Sequence, residues 1–293
     1  MATKTKAKTT SVPATTKSQV PANKGTDLRE RMKRDAGRGV STKASDNLVP
    51  LVQVLQPLSP QVMKNNPNMI KGASAGDFLV KTMPDPIIGG EEGFYFQPAG
   101  MYQEWVEWVP REQGGGFVNR YDYNGGTPPK GSKEKPHDPD SRRPQGYSMG
   151  KNDLIDTRYV PGYMWTEGQH VPLVIPFTST GHAVARGWMT KQTHLQQEGG
   201  ILPAFSAVYH ITTKGAKNNK GEWFKIEVGP PILLVDMETG APNPDAEEIV
   251  GDCEEAYTLG ETLNTAFEKQ EKQAHFTSRD DVETNEDTST SKM

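Results

Sequence analysis

The chemistry open to this chain is suggested by aromatic rings and cations that recur side by side. Met101 to Arg111 reads Met-Tyr-Gln-Glu-Trp-Val-Glu-Trp-Val-Pro-Arg, which places Trp105 and Trp108 three residues apart with Arg111 close behind. On a strand that spacing sends the two indoles to opposite faces. One then belongs to the core and the other is a candidate platform for a nucleobase; packing of both inside is the competing reading. Downstream, Gly114-Gly115-Gly116 leads into Phe117-Val118-Asn119-Arg120-Tyr121-Asp122-Tyr123. A glycine-hinged loop carrying Phe117, Arg120, Tyr121 and Tyr123 could stack bases and neutralise phosphate together. An ordinary amphipathic strand explains the same residues, with Tyr121 and Tyr123 in phase with Phe117 and Asn119. The theme returns at Arg158-Tyr159 and at Lys214, Lys217, Lys220 and Lys225 around Trp223. Ring-on-base stacking is worth about 1–3 kcal/mol per base in single-strand binders. Lysines and arginines release counterions from phosphates, which makes such binding salt-dependent.

Enzyme signatures are missing by comparison. The chain has no G-x-x-x-x-G-K-[ST] loop, no G-x-S-x-G elbow and no H-E-x-x-H pair, and its 6 histidines show no ligand spacing. Paired carboxylates occur at Glu91-Glu92, Glu104/Glu107 and Asp153/Asp156, and the last pair could hold Mg²⁺ for a nuclease, but carboxylates on exposed loops are normally solvated. The expectation is a binding protein, not an enzyme, with no cofactor. Cys253 stands alone, so neither an intrachain disulfide nor a cysteine-based metal site can form.

The elements that must position these residues read as strands. With 29 Gly and 23 Pro in 293 residues, the composition favours short strands and turns. Strands are expected at Phe78–Thr82, Phe94–Gln97, Met101–Val109, Val171–Thr178, Ala204–Thr213, Glu222–Val228 and Ile232–Asp236. A hairpin through Asn219-Lys220-Gly221 should join the fifth to the sixth. One helix is expected between Thr180 and Gln197, capped by Ser179 or Thr180 and ended by Gly199-Gly200, and a second over residues 245–275. The fold class is a β-dominated α+β protein: an OB-like barrel or twisted antiparallel sheet with one or two flanking helices and disordered termini. Residues 44–244 form its body, and residues 113–150, with 13 Gly and Pro, read as a long flexible loop.

Charge is concentrated at the ends. Lys and Arg outnumber acids 11 to 3 from Met1 to Lys43, while acids outnumber Lys and Arg 14 to 4 from Asp245 to Met293, giving +8 and −10 in a chain of net −4. Residues 1–43 are therefore a basic disordered arm suited to phosphate, and 276–293 an acidic disordered tail suited to a basic partner or to competition for the same surface. The longest apolar runs fall short of the ~20 residues that span a bilayer, and no leader is recognisable, so the expected compartment is the host cytoplasm.

Several stretches together resemble proteins encoded among the replication and recombination genes of tailed bacteriophages. They are Asn47-Leu48-Val49-Pro50 through Val62, Gly72-Ala73-Ser74-Ala75-Gly76-Asp77-Phe78, Trp105 to Val118, Thr178-Ser179-Thr180 leading to Trp188, and Pro203-Ala204-Phe205 leading to Asn219 and Gly221. The broader resemblance is to phage single-stranded DNA-binding proteins with an OB-like barrel and an acidic C-terminal tail. It implies sequence-independent binding of single-stranded DNA, protection of that strand in replication or recombination, and contact with other replication or recombination proteins through the tail. Oligomers are compatible with it. Two departures stand out: the last aromatic is Phe276, well before Met293, and the body between the charged ends is nearly neutral. The rival expectation is a virion or assembly protein whose ends contact other proteins.

Overall fold

The computed structural model describes residues 50–81, 83–110, 113–136, 146–166, 168–197, 199–218 and 221–270. The basic arm, the acidic tail, Arg111 and Lys220 lie outside the described residues. What is described is mostly antiparallel sheet with helices against it, a β-dominated α+β fold.

The centre is a 15-residue strand, β9 (Asn152–Thr166). One of its edges pairs with β5 (Tyr102–Trp108) and then β4 (Phe94–Pro98); the other pairs with β8 (Tyr147–Met149) and then β10 (Gln169–Thr178). β4 and β5 are nearly one strand, interrupted at Ala99–Met101, where the amide of Ala99 still donates to the Pro161 carbonyl at 2.8 Å. β4 continues sideways to β13 (Ala207–Asn218) and β14 (Gly221–Leu233), so the sheet runs β14-β13-β4-β9-β10 at one end. At the other end β5 carries β6 (Phe117–Asp122), and β8 carries β7 (Ser132–Glu134).

The free edges of β10 and β14 are bridged by two elements. Helix α1 (Gly181–Thr193) packs on both strands. The segment Pro50–Val52 lies along β10, with Val52 N–H donating to the Val174 carbonyl at 2.9 Å, and four residues later Gln56 reaches β14. β1 (Gln53–Val54), β2 (Phe78–Leu79) and β3 (Ile87–Ile88) form a small separate sheet beside it. The main core inside this curved sheet joins Phe78, Phe94, Phe96, Leu173, Ile175, Phe177, Tyr209 and Ile211, with Trp188 of α1 laid edge-on against Phe96, Phe177 and Tyr209. Tyr209 keeps its hydroxyl satisfied by donating to Gln192 Oε1 at 2.7 Å, and burial pushes its pKa up to about 12.

The expected hairpin is present as β13–β14. Glu222–Val228 and Ile232–Asp236 turn out to be one strand to Leu233, joined through Gly229-Pro230-Pro231 at the edge, where the register with β13 shifts opposite His210. Three expectations need correction. Helix α1 ends at Thr193, ahead of Gly199-Gly200; Gly200, with φ of 117°, instead opens the second strand of a small hairpin made of β11 (Gln196–Gln197) and β12 (Gly200–Ile201). The single helix over 245–275 is two, α2 (Pro244–Val250) and α3 (Cys253–Gln270), divided at Gly251 with φ of 79° and restarted by Asp252, whose carboxylate accepts from the amides of Glu254 and Glu255. The described part of the 113–150 loop carries three strands, β6, β7 and β8, because β6 and β8 find partners in β5 and β9 that its Gly and Pro content conceals. Among the described residues no helix is long and apolar enough to cross a membrane.

α3 is fastened to the sheet by one buried amide. Gln97 of β4 is fully buried; its Nε2 donates to the carbonyls of Phe205 (2.8 Å) and Ala256 (3.0 Å), and its Oε1 accepts from Trp165 Nε1 (3.2 Å). Gly260 lets the helix approach: a Cβ there would sit 2.4 Å from that of Phe205. Gln97→Leu leaves the Phe205 carbonyl and Trp165 Nε1 buried without their partner, each costing about 1–3 kcal/mol, and takes a second bond from the Ala256 carbonyl. The variant is expected to lower the urea midpoint of unfolding by the equivalent of several kcal/mol; an unchanged midpoint would refute this role.

Candidate nucleic-acid interface

Alternation along β5 divides the aromatic residues into two sets. Tyr102, Glu104, Val106 and Trp108 face one way, and Gln103, Trp105 and Glu107 the other. The cross-strand neighbours follow suit: Phe117 and Arg120 of β6 and Tyr159 of β9 share the face of Trp108, and Tyr121 shares that of Trp105. The opposed tryptophans expected from their spacing are thus found.

On the Trp105 face the rings are consumed by each other. Trp105 is buried, stacked on Tyr123 at 5.9 Å and edge-on to Tyr147 at 5.4 Å, and its Nε1 has no hydrogen-bond partner among the described residues. The Tyr121 hydroxyl donates to the buried carboxylate of Glu107 at 2.5 Å, which also receives Asn152 Nδ2. That bond raises the Tyr121 pKa above the ordinary phenol value.

The opposite face holds a buried ion pair under an aromatic lid. Arg120 Nη1 donates to Glu104 Oε2 at 2.9 Å and to the Tyr159 hydroxyl at 3.2 Å, and its guanidinium lies 5.4 Å from the ring centres of both Phe117 and Tyr159. Burial works against its charge, but Tyr159 and Glu104 outweigh that, and its pKa is raised. Burial, then the neighbouring Glu104, pushes the Tyr102 phenol up as well. Tyr102 stacks on Tyr159 at 5.0 Å and on Phe267 of α3 at 6.0 Å, so the helix end also leans on this arm. Phe117 meets Trp108 edge-on at 5.9 Å and holds it half-exposed. In this position Arg120 supports the arm.

Beside Trp108 opens a groove of about 740 Å³, within the size range of ligand clefts. The β5–β6 turn forms one wall and β14 the other. The buried rings Tyr159 and Phe177 make the floor, and the half-buried rings Trp108 and Phe224 line the sides, with Lys81 and Lys225 at the margin. Phe224 is held from behind. Gln56 donates from Nε2 to the Phe224 carbonyl (3.0 Å) and accepts its amide on Oε1 (2.9 Å), while Gly76, with φ of 101°, brings its backbone close enough that a Cβ would lie 2.7 Å from the ring.

The other expected cations are spread along the neighbouring hairpin. Lys214 and Lys225 are direct cross-strand partners; Lys214 pairs with Glu227 at 3.6 Å and Lys217 with Glu222 at 2.5 Å, all exposed. Arg158 is half-buried on β9, opposite Gln103 and Phe177. Asp153 ion-pairs with Lys135 at the groove, whereas Asp156, three residues on and on the other face, meets His182; the two carboxylates are not brought together. Sequence reasoning passed over Phe224, Phe177 and Lys81. Phe224 alternates in phase with Ile226 and Val228 and therefore reads as core; only the approach of Gln56 and Gly76 marks it as a wall.

Arg120→Met leaves Glu104 without its cation in a partly buried site, where breaking a pair costs about 3–5 kcal/mol. Urea unfolding of Arg120→Met, Glu104→Gln and the double variant should give a double variant less destabilised than the sum of the singles; strict additivity would refute the coupling.

A protein-family model described as Pam3 phage gp34-like protein matches residues 22–273. No curated protein and no solved structure matches the chain. The match takes in every described element, from the Gln56 clamp to α3, and the chain belongs to the Pam3 phage gp34-like family of phage proteins.

Proposed function

We propose that this phage protein binds single-stranded DNA in the groove between Trp108 and Phe224 and protects it during replication or recombination in the host cytoplasm, without chemistry of its own. The observation that carries the reading is the groove: two half-exposed rings, Trp108 on the β5–β6 arm and Phe224 on β14, with the buried rings Tyr159 and Phe177 and with Lys81 and Lys225 among its lining. Rings so placed can stack on bases only where the bases are splayed apart, which favours single strands over duplex.

The order of the strands supports the same reading. Taking β4–β5 as the first strand, β9, β10, β13 and β14 follow as second to fifth, in the spatial order fifth-fourth-first-second-third. That is the order of an OB barrel, whose ligands lie on the second and third strands between the loops joining strands one to two and four to five. Here the groove touches β9 and β10 and is walled by the β5–β6 arm of the first connection and by β14 next to the second. The two marginal lysines neutralise few phosphates, so the +8 of residues 1–43 supplies most of the salt dependence, and the −10 of residues 245–293 competes with DNA or recruits replication or recombination proteins.

A second reading, a virion or assembly protein, is favoured by one observation: Leu58, Met63 and Met69 expose 82%, 42% and 46% of their surface on a single connection between β1 and β2. Finding the chain in purified particles would support it.

Fluorescence anisotropy with labelled oligo-dT tests the leading reading. Trp108→Ala and Phe224→Ala should each weaken binding about 5- to 150-fold, the equivalent of one lost stack, while Tyr121→Phe on the other face leaves it unchanged. Removing residues 1–43 should flatten the salt dependence, and ending the chain at Gln273 should strengthen binding. Wild-type affinity in both ring variants would sink the groove as the binding site.

A further inference from the structure

A second groove, of about 800 Å³, shares no lining residue with the first. Its floor is apolar: Ile87 and Ile88 of β3, Trp165 of β9 and Ile249 of α2. Its rim is acidic. Asp85 and Glu92 stand on one side and Asp245 and Glu248 of α2 on the other, all four exposed. No lysine or arginine lines it, and none of the four carboxylates has an ion pair among the described residues. The one basic group in the lining, His210, is engaged: its Nε2 lies 2.7 Å from the Glu92 carbonyl oxygen and its ring packs on Tyr95 at 4.9 Å.

Asp245 has an ordinary structural use, since it follows the Asn243 cap and complements the N-terminal end of α2. Asp85, Glu92 and Glu248 have no such role. Four carboxylates of one sign around an apolar trough repel nucleic acid and attract cations, and the trough asks for a side chain that an inorganic ion lacks. We infer that this groove docks a basic segment of a partner protein, with arginine or lysine side chains set against the acidic rim and an aliphatic anchor between them in the floor. The inference does not rest on the DNA-binding reading, because the two grooves are built from separate residues.

The probe is a fluorescein-labelled dodecapeptide of arginine, lysine and leucine, titrated with the full chain at low salt and followed by anisotropy. The paired substitution Glu92→Lys with Glu248→Lys should weaken binding at least tenfold, and Ile87→Ser several-fold. Glu254→Lys with Glu261→Lys makes the same change of net charge on the exposed side of α3 and should leave the affinity as it was; circular dichroism would verify that each variant folds. Equal weakening by the two charge reversals would assign binding to net charge and overturn the groove. No binding by the unaltered chain, or indifference to Ile87→Ser, would overturn the proposal as well.

Discussion

Everything in this fold answers to the need to pair both edges of β9. A strand of 15 residues through the middle of a protein presents donors and acceptors on two sides, and each buried group left unpaired would cost as much as a lost hydrogen bond. No one neighbour runs its whole length. β5 and β4 divide one edge and β8 and β10 the other, and the handover from one partner to the next lets the sheet curve around its core. The same handover thrusts β5 and β6 out as an arm, with Trp108 at its end beside the groove. The groove is thus the space left where a sheet changes partners.

Polar side chains secure what the backbone cannot. Gln97, Gln192 and Gln56 are three amides spending both ends on distant groups: α3 and Trp165 in the first case, the Leu202 and Pro203 carbonyls with the Tyr209 hydroxyl in the second, β14 in the third. An amide matched at both ends rigidifies a core without the desolvation cost of a charge. The most buried ion pair among the described residues, Arg120 with Glu104, sits where the arm has too little hydrophobic depth of its own and borrows the rings of Phe117 and Tyr159 for a cover.

Much of this was legible in the residues and some could not be. Alternation marked β13 and β14 and placed Trp105 and Trp108 on opposite faces, because both inferences need only a period of two. β9 escaped notice: Asn152, Asp153 and Asp156 make its start look like loop, Pro161-Gly162 interrupts its middle, and its burial on two sides erases the alternation. β6 and β8 were hidden for a related reason, since a strand among glycines is recognisable only from the partner that awaits it. The division at Gly251 lay under a helical pattern that continues across it. For the site, ring and cation could be found by type, yet whether Arg120 meets a phosphate or a glutamate depends on Glu104, sixteen residues away and visible only through β5–β6 pairing.

Gln56 has one more consequence. Its amide occupies the donor and the acceptor of Phe224 in the way a neighbouring strand would, so a side chain stands in for a main chain at the outer edge of β14. Exposed edges invite pairing with other molecules, and a long hairpin offers them an extended edge. By closing the ladder at this one residue, the protein interrupts the run of free donors and acceptors along β14 and makes the edge beside the groove a poorer template for another strand.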